Sequence, residues 1–232
     1  MTFLQATVPF PAVDIGLRLA ESPGDVAVTL QILLLLTVLS LAPAIIILMT
    51  SFTRTVIVLS FIRNALGTNQ VPPNQVLIGL ALFLTAFIMG PAFGAVYSEA
   101  IVPFLAGEIE MEEMWTIGSE PIREFMLQHT REKDLELFVM MRGDEQPATP
   151  ADVPILTLIP AFVISELKTA FQLGFVIFIP FLVIDMVVAS TLMGMGMMML
   201  PPVMISLPFK ILLFILVDGW HLVVQSLLVS FS

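Results

Sequence analysis

Five ionisable residues interrupt the otherwise apolar C-terminal half of the 232-residue chain: Glu166, Lys168, Asp185, Lys210 and Asp218. A charge at the bilayer centre costs about 2.5–3.5 kcal/mol on insertion scales, so these side chains are not expected to face lipid. Two arrangements fit them. Glu166 and Asp185 can act as carriers in a polar pathway or proton relay. Alternatively, the mixed signs let the set neutralise itself in ion pairs between subunits, or place it outside the hydrocarbon.

Methionine is the second chemically suggestive residue. Seven of the 15 methionines fall between Met186 and Met204, including Met193, Met195 and the run Met197-Met198-Met199 just before Leu200-Pro201-Pro202. Its flexible, polarizable thioether repacks around different partners. Three in succession at a helix–turn–helix tip cannot all face one helix, so at least one should project. In a ring of subunits they could form a soft seal; ordinary packing is the plainer reading. Thioethers also suit Cu(I), but the chain has no cysteine and only two distant histidines, His129 and His221. No phosphate-binding glycine loop ending in Gly-Lys, no His-Glu-x-x-His and no Gly-x-Ser-x-Gly occurs. There is no basic cluster for nucleic acid either. The expectation is a protein that is not an enzyme and needs no cofactor.

The elements that must hold these residues are set by composition. Hydrophobic residues make up 58% of the chain and charged ones 12%, with a net charge of −10. Soluble domains carry about 25% charged residues, and half that cannot coat a water-soluble particle of this size. The chain reads as an integral membrane protein. Uncharged runs at 26–53, 64–98, 153–165, 169–184 and 186–209 supply about four candidate spans of ~20 residues each. They lack strand alternation, so helices fit rather than barrel strands.

A different material separates the two apolar halves. Residues 98–153 hold 13 acidic and four basic residues, a net of −9. Apolar positions three and four apart in Pro121–Leu127 and Leu135–Val139 read as short amphipathic helices. Pro147, Pro150 and Pro154 end the insert. Placed in a loop, Arg54 and Arg63 should face the cytoplasm and the acidic insert the outside. Both termini then lie outside. Residues 1–25 lack a basic n-region and an apolar h-region, so a leader is expected to have been cleaved or omitted.

Pro72-Pro73 and Pro201-Pro202 each precede a long apolar run. Proline suits a first helical turn, where its missing N–H would be unpaired anyway. Each pair is therefore expected to mark the turn of a helical hairpin, with an echo that suggests an internal repeat. Pro43, Pro160 and Pro180 should kink or break their helices. The expected organisation is an N-terminal segment 1–25, a first hairpin 26–98, the acidic insert 99–153 and a second hairpin 154–232.

Ordered stretches of the chain also match a known family. They include Met49-Thr50-Ser51-Phe52-Thr53-Arg54, Arg63-Asn64-Ala65-Leu66-Gly67, Pro72-Pro73-Asn74-Gln75-Val76-Leu77 and Ala81-Leu82-Phe83-Leu84-Thr85. In the second half come Ser165-Glu166-Leu167-Lys168-Thr169-Ala170-Phe171-Gln172, Ile179-Pro180-Phe181-Leu182 and Gly196-Met197-Met198-Met199. Leu207-Pro208-Phe209-Lys210 and Val217-Asp218-Gly219-Trp220 complete the set. On these residues the chain closely resembles the FliP/SctR family of type III export-gate proteins, in wording nearer the flagellar form than the virulence form. Family members usually begin with a cleavable signal, which residues 1–25 do not show.

The resemblance implies an all-α membrane protein of two long kinked hairpins and a small acidic insert, assembling into a ring. It implies a homopentamer in the bacterial inner membrane, forming with FliQ and FliR the pore for unfolded flagellar proteins. FlhB and FlhA would lie below, and the assembled pore would be displaced toward the periplasm. Met197, Met198 and Met199 correspond to the family's gasket. Glu166, Lys168, Asp185 and Lys210 are expected as contacts between subunits or with FliQ and FliR. The competing expectation is a proton- or metal-coupled transporter.

Overall fold

The computed structural model describes residues 23–68, 71–143, 147, 149–197 and 200–231. Every regular element among them is helical. Two compact units divide at Pro43/Ala44. In the first, the described residues belong to α1 (Pro23–Leu48), whose run from Leu30 onward is apolar and exposed.

The second unit is a helical body built around α2 (Phe52–Leu66). Thr55, Val58, Leu59, Ile62 and Ala65 recur at three and four residues and are buried, which gives α2 one continuous packing face. Against it lie α3 (Asn74–Ile88), α8 (Ile155–Gly194) and α9 (Pro202–Leu216). Leu77, Ala81, Ala170, Phe214 and Leu227 complete this core. The ring of Phe61 seats on Gly174, where a Cβ would stand 2.5 Å from its Cγ. After α3 come α4 (Gly90–Ala95), a π-helical turn (Val96–Ile101) and α5 (Val102–Leu105). The acidic stretch folds as α6 (Met111–His129) and α7 (Glu132–Arg142). A second core holds it to the start of α8 through Met126, Val153, Leu158 and Phe162. The chain closes with α10 (Gly219–Val229).

Two expectations change. The opening arm of the first hairpin is not one continuous helix, because helix stops at Met49–Ser51. There the Thr50 hydroxyl donates to the Ile47 carbonyl (2.8 Å), a local bond that competes with helix propagation. Conversely, of the kink or break expected at Pro160 and Pro180, the break does not occur: α8 runs as one helix of 40 residues, about 60 Å at 1.5 Å per residue. Side-chain packing along α2 outweighs the two lost backbone bonds. Pro43 likewise lies within α1.

The two double prolines open similar elements. Pro73 precedes α3 and Pro202 starts α9, each 15 residues long. The first continues into Gly90–Leu105 with a 60° bend and the second into α10 with a 64° bend. α1 and α8 are long and apolar enough to cross a membrane, and the two bent pairs raise the count to four.

Candidate functional site

Arg54 is the centre of the body's polar structure. It sits in the first turn of α2 and is 3% exposed, not in a loop as the orientation argument supposed. Its Nε donates to Glu166 Oε2 at 3.0 Å and its Nη2 donates to Oε1, a two-point grip on a fully buried carboxylate. Its Nη1 donates to the Ser230 carbonyl (2.6 Å) and hydroxyl (3.0 Å). The guanidinium carbon lies 3.7 Å from the centre of the Phe231 ring. One guanidinium thus ties α2, α8 and the C-terminal segment together, using the planar fork that suits a carboxylate.

The neighbours of Glu166 carry the acidic insert. The Arg131 backbone N–H donates to Ser165 Oγ (3.0 Å), whose hydroxyl donates to Asp134 Oδ2 (2.8 Å). Arg131 Nη2 reaches Thr169 Oγ1 (3.3 Å) and Gln172 Oε1. Positions 165, 169 and 172 follow helical spacing, so one stripe of α8 receives the α6–α7 turn. His129 closes the cluster, its Nδ1–H donating to the Phe125 carbonyl (2.7 Å) while its ring meets Phe125 and Phe231. Burial pushes the His129 pKa below the ordinary 6.5, the backbone bond opposes this, and the nearby Arg54 charge adds to it.

The second polar pair lies toward the other end of α8. Ser206 Oγ donates to Asp185 Oδ1 at 2.6 Å and Lys210 Nζ donates to Oδ2 at 2.5 Å. Lys210 is 2% exposed, while the Asp185 side chain keeps 30% of its surface open. The pair joins α8 to α9 beneath the tip between them. Lys168 is not gathered into either cluster and is exposed. Asp218, in a left-handed conformation, marks the bend before α10.

At the tip, α8 ends in a paired cap. The Met197 N–H donates to the Leu192 carbonyl (2.9 Å) and the Gly196 N–H to the Met193 carbonyl (3.0 Å). Gly196 supplies the left-handed residue this cap requires, at φ +76°. Met193, Met195 and Met197 are exposed there, Met197 at 48%. Met198 and Met199 lie outside the described residues.

Sequence reasoning missed Arg54 as the partner of Glu166. The available signal was one of sign, since Arg54 and Arg63 are the sole cations in the first apolar half, and a buried carboxylate needs a cation. Arg63 instead bonds Asn74.

Apolar helices long enough to cross a membrane, with the buried charges of the body tied to one another, define a helical integral membrane protein. The FliP family profile matches residues 35–227, and the chain belongs to that family. It is 63% identical to flagellar biosynthetic protein FliP of Bacillus subtilis over 212 residues, covering 91% of this chain and 96% of that one. The protein of the same description from Pectobacterium carotovorum is 58% identical over 203 residues, covering 88% and 79%. That of Cereibacter sphaeroides is 52% identical over 224 residues, covering 96% and 73%.

Proposed function

We propose that this chain is a core subunit of the flagellar type III protein export gate. In this reading several copies form a ring, a pentamer by family resemblance, and with FliQ and FliR enclose the conduit for unfolded flagellar proteins. FlhB and FlhA associate below, and the assembly sits in the inner membrane displaced toward the periplasm. Glu166 and Asp185 are each engaged by a cation, Arg54 and Lys210, which supports structural ion pairing over the carrier role that the transporter alternative needs. Lys168, exposed beside the Arg54–Glu166 cluster, is the residue of the polar set best placed to meet a neighbouring subunit.

The observation that carries the proposal is the methionine tip. Exposed thioethers hang from a capped helix end on one side and from proline-started α9 on the other, with an ion pair bracing the two helices. Side chains of this kind conform around a moving polypeptide and close behind it. Met197, Met198 and Met199 are assigned as that gasket.

Native mass spectrometry of the chain, expressed alone and with FliQ and FliR, tests the assembly. A ring of several copies that incorporates FliR is expected; a monomer or dimer indifferent to both partners overturns the reading. Replacing all three methionines with glycine should raise small-ion leak while the assembly stays intact. An unchanged leak with normal assembly removes the gasket assignment.

A further inference from the structure

A cavity of about 420 Å³ opens between the last turn of α1, the α4–π-helical segment and α6. Its walls include Ile46, Phe93, Val96, Met114, Trp115 and Ile122. The two hydroxyls on its lining are already used: Thr50 donates to the Ile47 carbonyl (2.8 Å) and Ser119 to the Thr116 carbonyl (3.0 Å). Neither leaves its proton for a guest. One edge is a close helix crossing, where a Cβ on Gly118 would lie 3.3 Å from the Ala100 Cβ. The π-helical turn, with its extra residue per turn, sets the backbone of residues 96–101 beside this crossing.

We propose that this cavity holds an acyl chain of an ethanolamine-type, zwitterionic phospholipid. Water gains nothing in an apolar cavity, and a cavity of roughly 150 Å³ already takes one benzene-sized guest. A space nearly three times larger, open at one side, suits a long flexible hydrocarbon. The lining elements are continuous with candidate spans: Ile46 lies in the apolar run Leu30–Leu48, and Phe93 to Ile101 in the second arm of the first bent pair. Trp115, 68% exposed, lies at the rim, where an indole suits the headgroup level.

Charge selects the headgroup. The segments flanking the cavity carry Glu99, Glu108, Glu110, Glu112 and Glu113, and the sequence has no Lys, Arg or His between Arg63 and Arg123. Arg123 turns elsewhere, its Nη2 donating to the Val153 carbonyl at 2.6 Å. An anionic phosphoglycerol headgroup meets repulsion there, whereas an ethanolamine ammonium finds acids and, unlike a choline, has N–H groups to donate to them.

The test uses the full chain carrying Trp220→Phe, which leaves Trp115 as the single tryptophan, reconstituted in phosphatidylcholine bilayers. A minor fraction of lipid with brominated acyl chains is added as quencher, with either an ethanolamine or a glycerol headgroup. Brominated phosphatidylethanolamine should quench Trp115 roughly threefold more than brominated phosphatidylglycerol, the discrimination expected of a screened surface charge contact. Unlabelled phosphatidylethanolamine should restore the emission by competition, an arm that needs no further variant. Ser119→Phe, which fills the space, should abolish the preference while helical content is retained. Equal quenching by the two lipids, a preference for the anionic lipid, or failure of the competition overturns the proposal. Trp115 shielded from both lipids also overturns it, because a protein partner then covers the cavity.

Discussion

Glu166→Ala is the sharpest perturbation of the packed body. It deletes both carboxylate bonds to Arg54 and leaves a guanidinium that is 3% exposed in the unfilled space. Breaking a buried pair from one side costs about 3–5 kcal/mol. Arg54 keeps its two bonds to Ser230 and its place over Phe231, so the lower part of that range applies, about 3 kcal/mol. Glu166→Gln retains the shape and one acceptor while losing the charge, and should cost about 2 kcal/mol. The double variant Arg54→Met/Glu166→Leu removes both charges together and should fall within about 1 kcal/mol of the parent.

Reversible unfolding of the purified chain in mixed micelles, followed by tryptophan fluorescence, measures the parent, these variants and the two single variants Arg54→Met and Glu166→Leu. The double-variant cycle then isolates the coupling between the two side chains. Two results refute the reasoning: Glu166→Ala within about 0.5 kcal/mol of the parent, or single losses that simply add in the double variant.

Two further outcomes follow from the packing. Gly174→Ala forces a methyl to within 2.5 Å of Phe61 Cγ and should cost about 1–3 kcal/mol by overpacking, with Phe61→Leu restoring most of the loss in the same unfolding assay. Because burial holds the His129 pKa below 6.5, the folded chain binds fewer protons than the unfolded one just below that pH. The stability carried by the neutral ring is therefore full above pH 6.5 and declines as pH falls. Hydrogen exchange in α6, corrected for its intrinsic rate, should be faster at roughly pH 5 than near neutrality. His129→Phe should flatten the difference, and an unchanged pH profile in that variant would assign the effect to another group.

The helical class and the membrane character were legible in the sequence because they rest on local facts: long uncharged runs, no strand alternation and too little charge to coat a soluble surface. What escaped was decided over distance. Arg54 and Glu166 are 112 residues apart in the chain, and no periodicity links them. Arg54 looked like a loop cation because the uncharged run 26–53 ends just before it, whereas the helix restarts after Ser51 and buries the arginine in the new first turn. α8 failed the opposite way. Its prolines are local helix breakers, yet the Phe61–Gly174 seat and the Ala170 contact lie between them, and packing overrides propensity there.

The two polar clusters divide the labour along α8. Glu166 and Asp185 are 19 residues apart, roughly 28 Å along a helix, with apolar side chains between them apart from Lys168, Thr169 and Gln172. The first cluster fixes α8 to α2, to the C-terminal segment and to the acidic insert. The second fixes α8 to α9 alone, and from it the chain runs only seven residues to the capping carbonyl of Leu192. The described end of α8, up to Met197, therefore lies close to a clamped helix pair. On the proposed gate reading, the projecting side chains of Met193, Met195 and Met197 are parts that yield to a passing chain. Methionine is suited to that task, because its three torsions reorganise without moving the backbone.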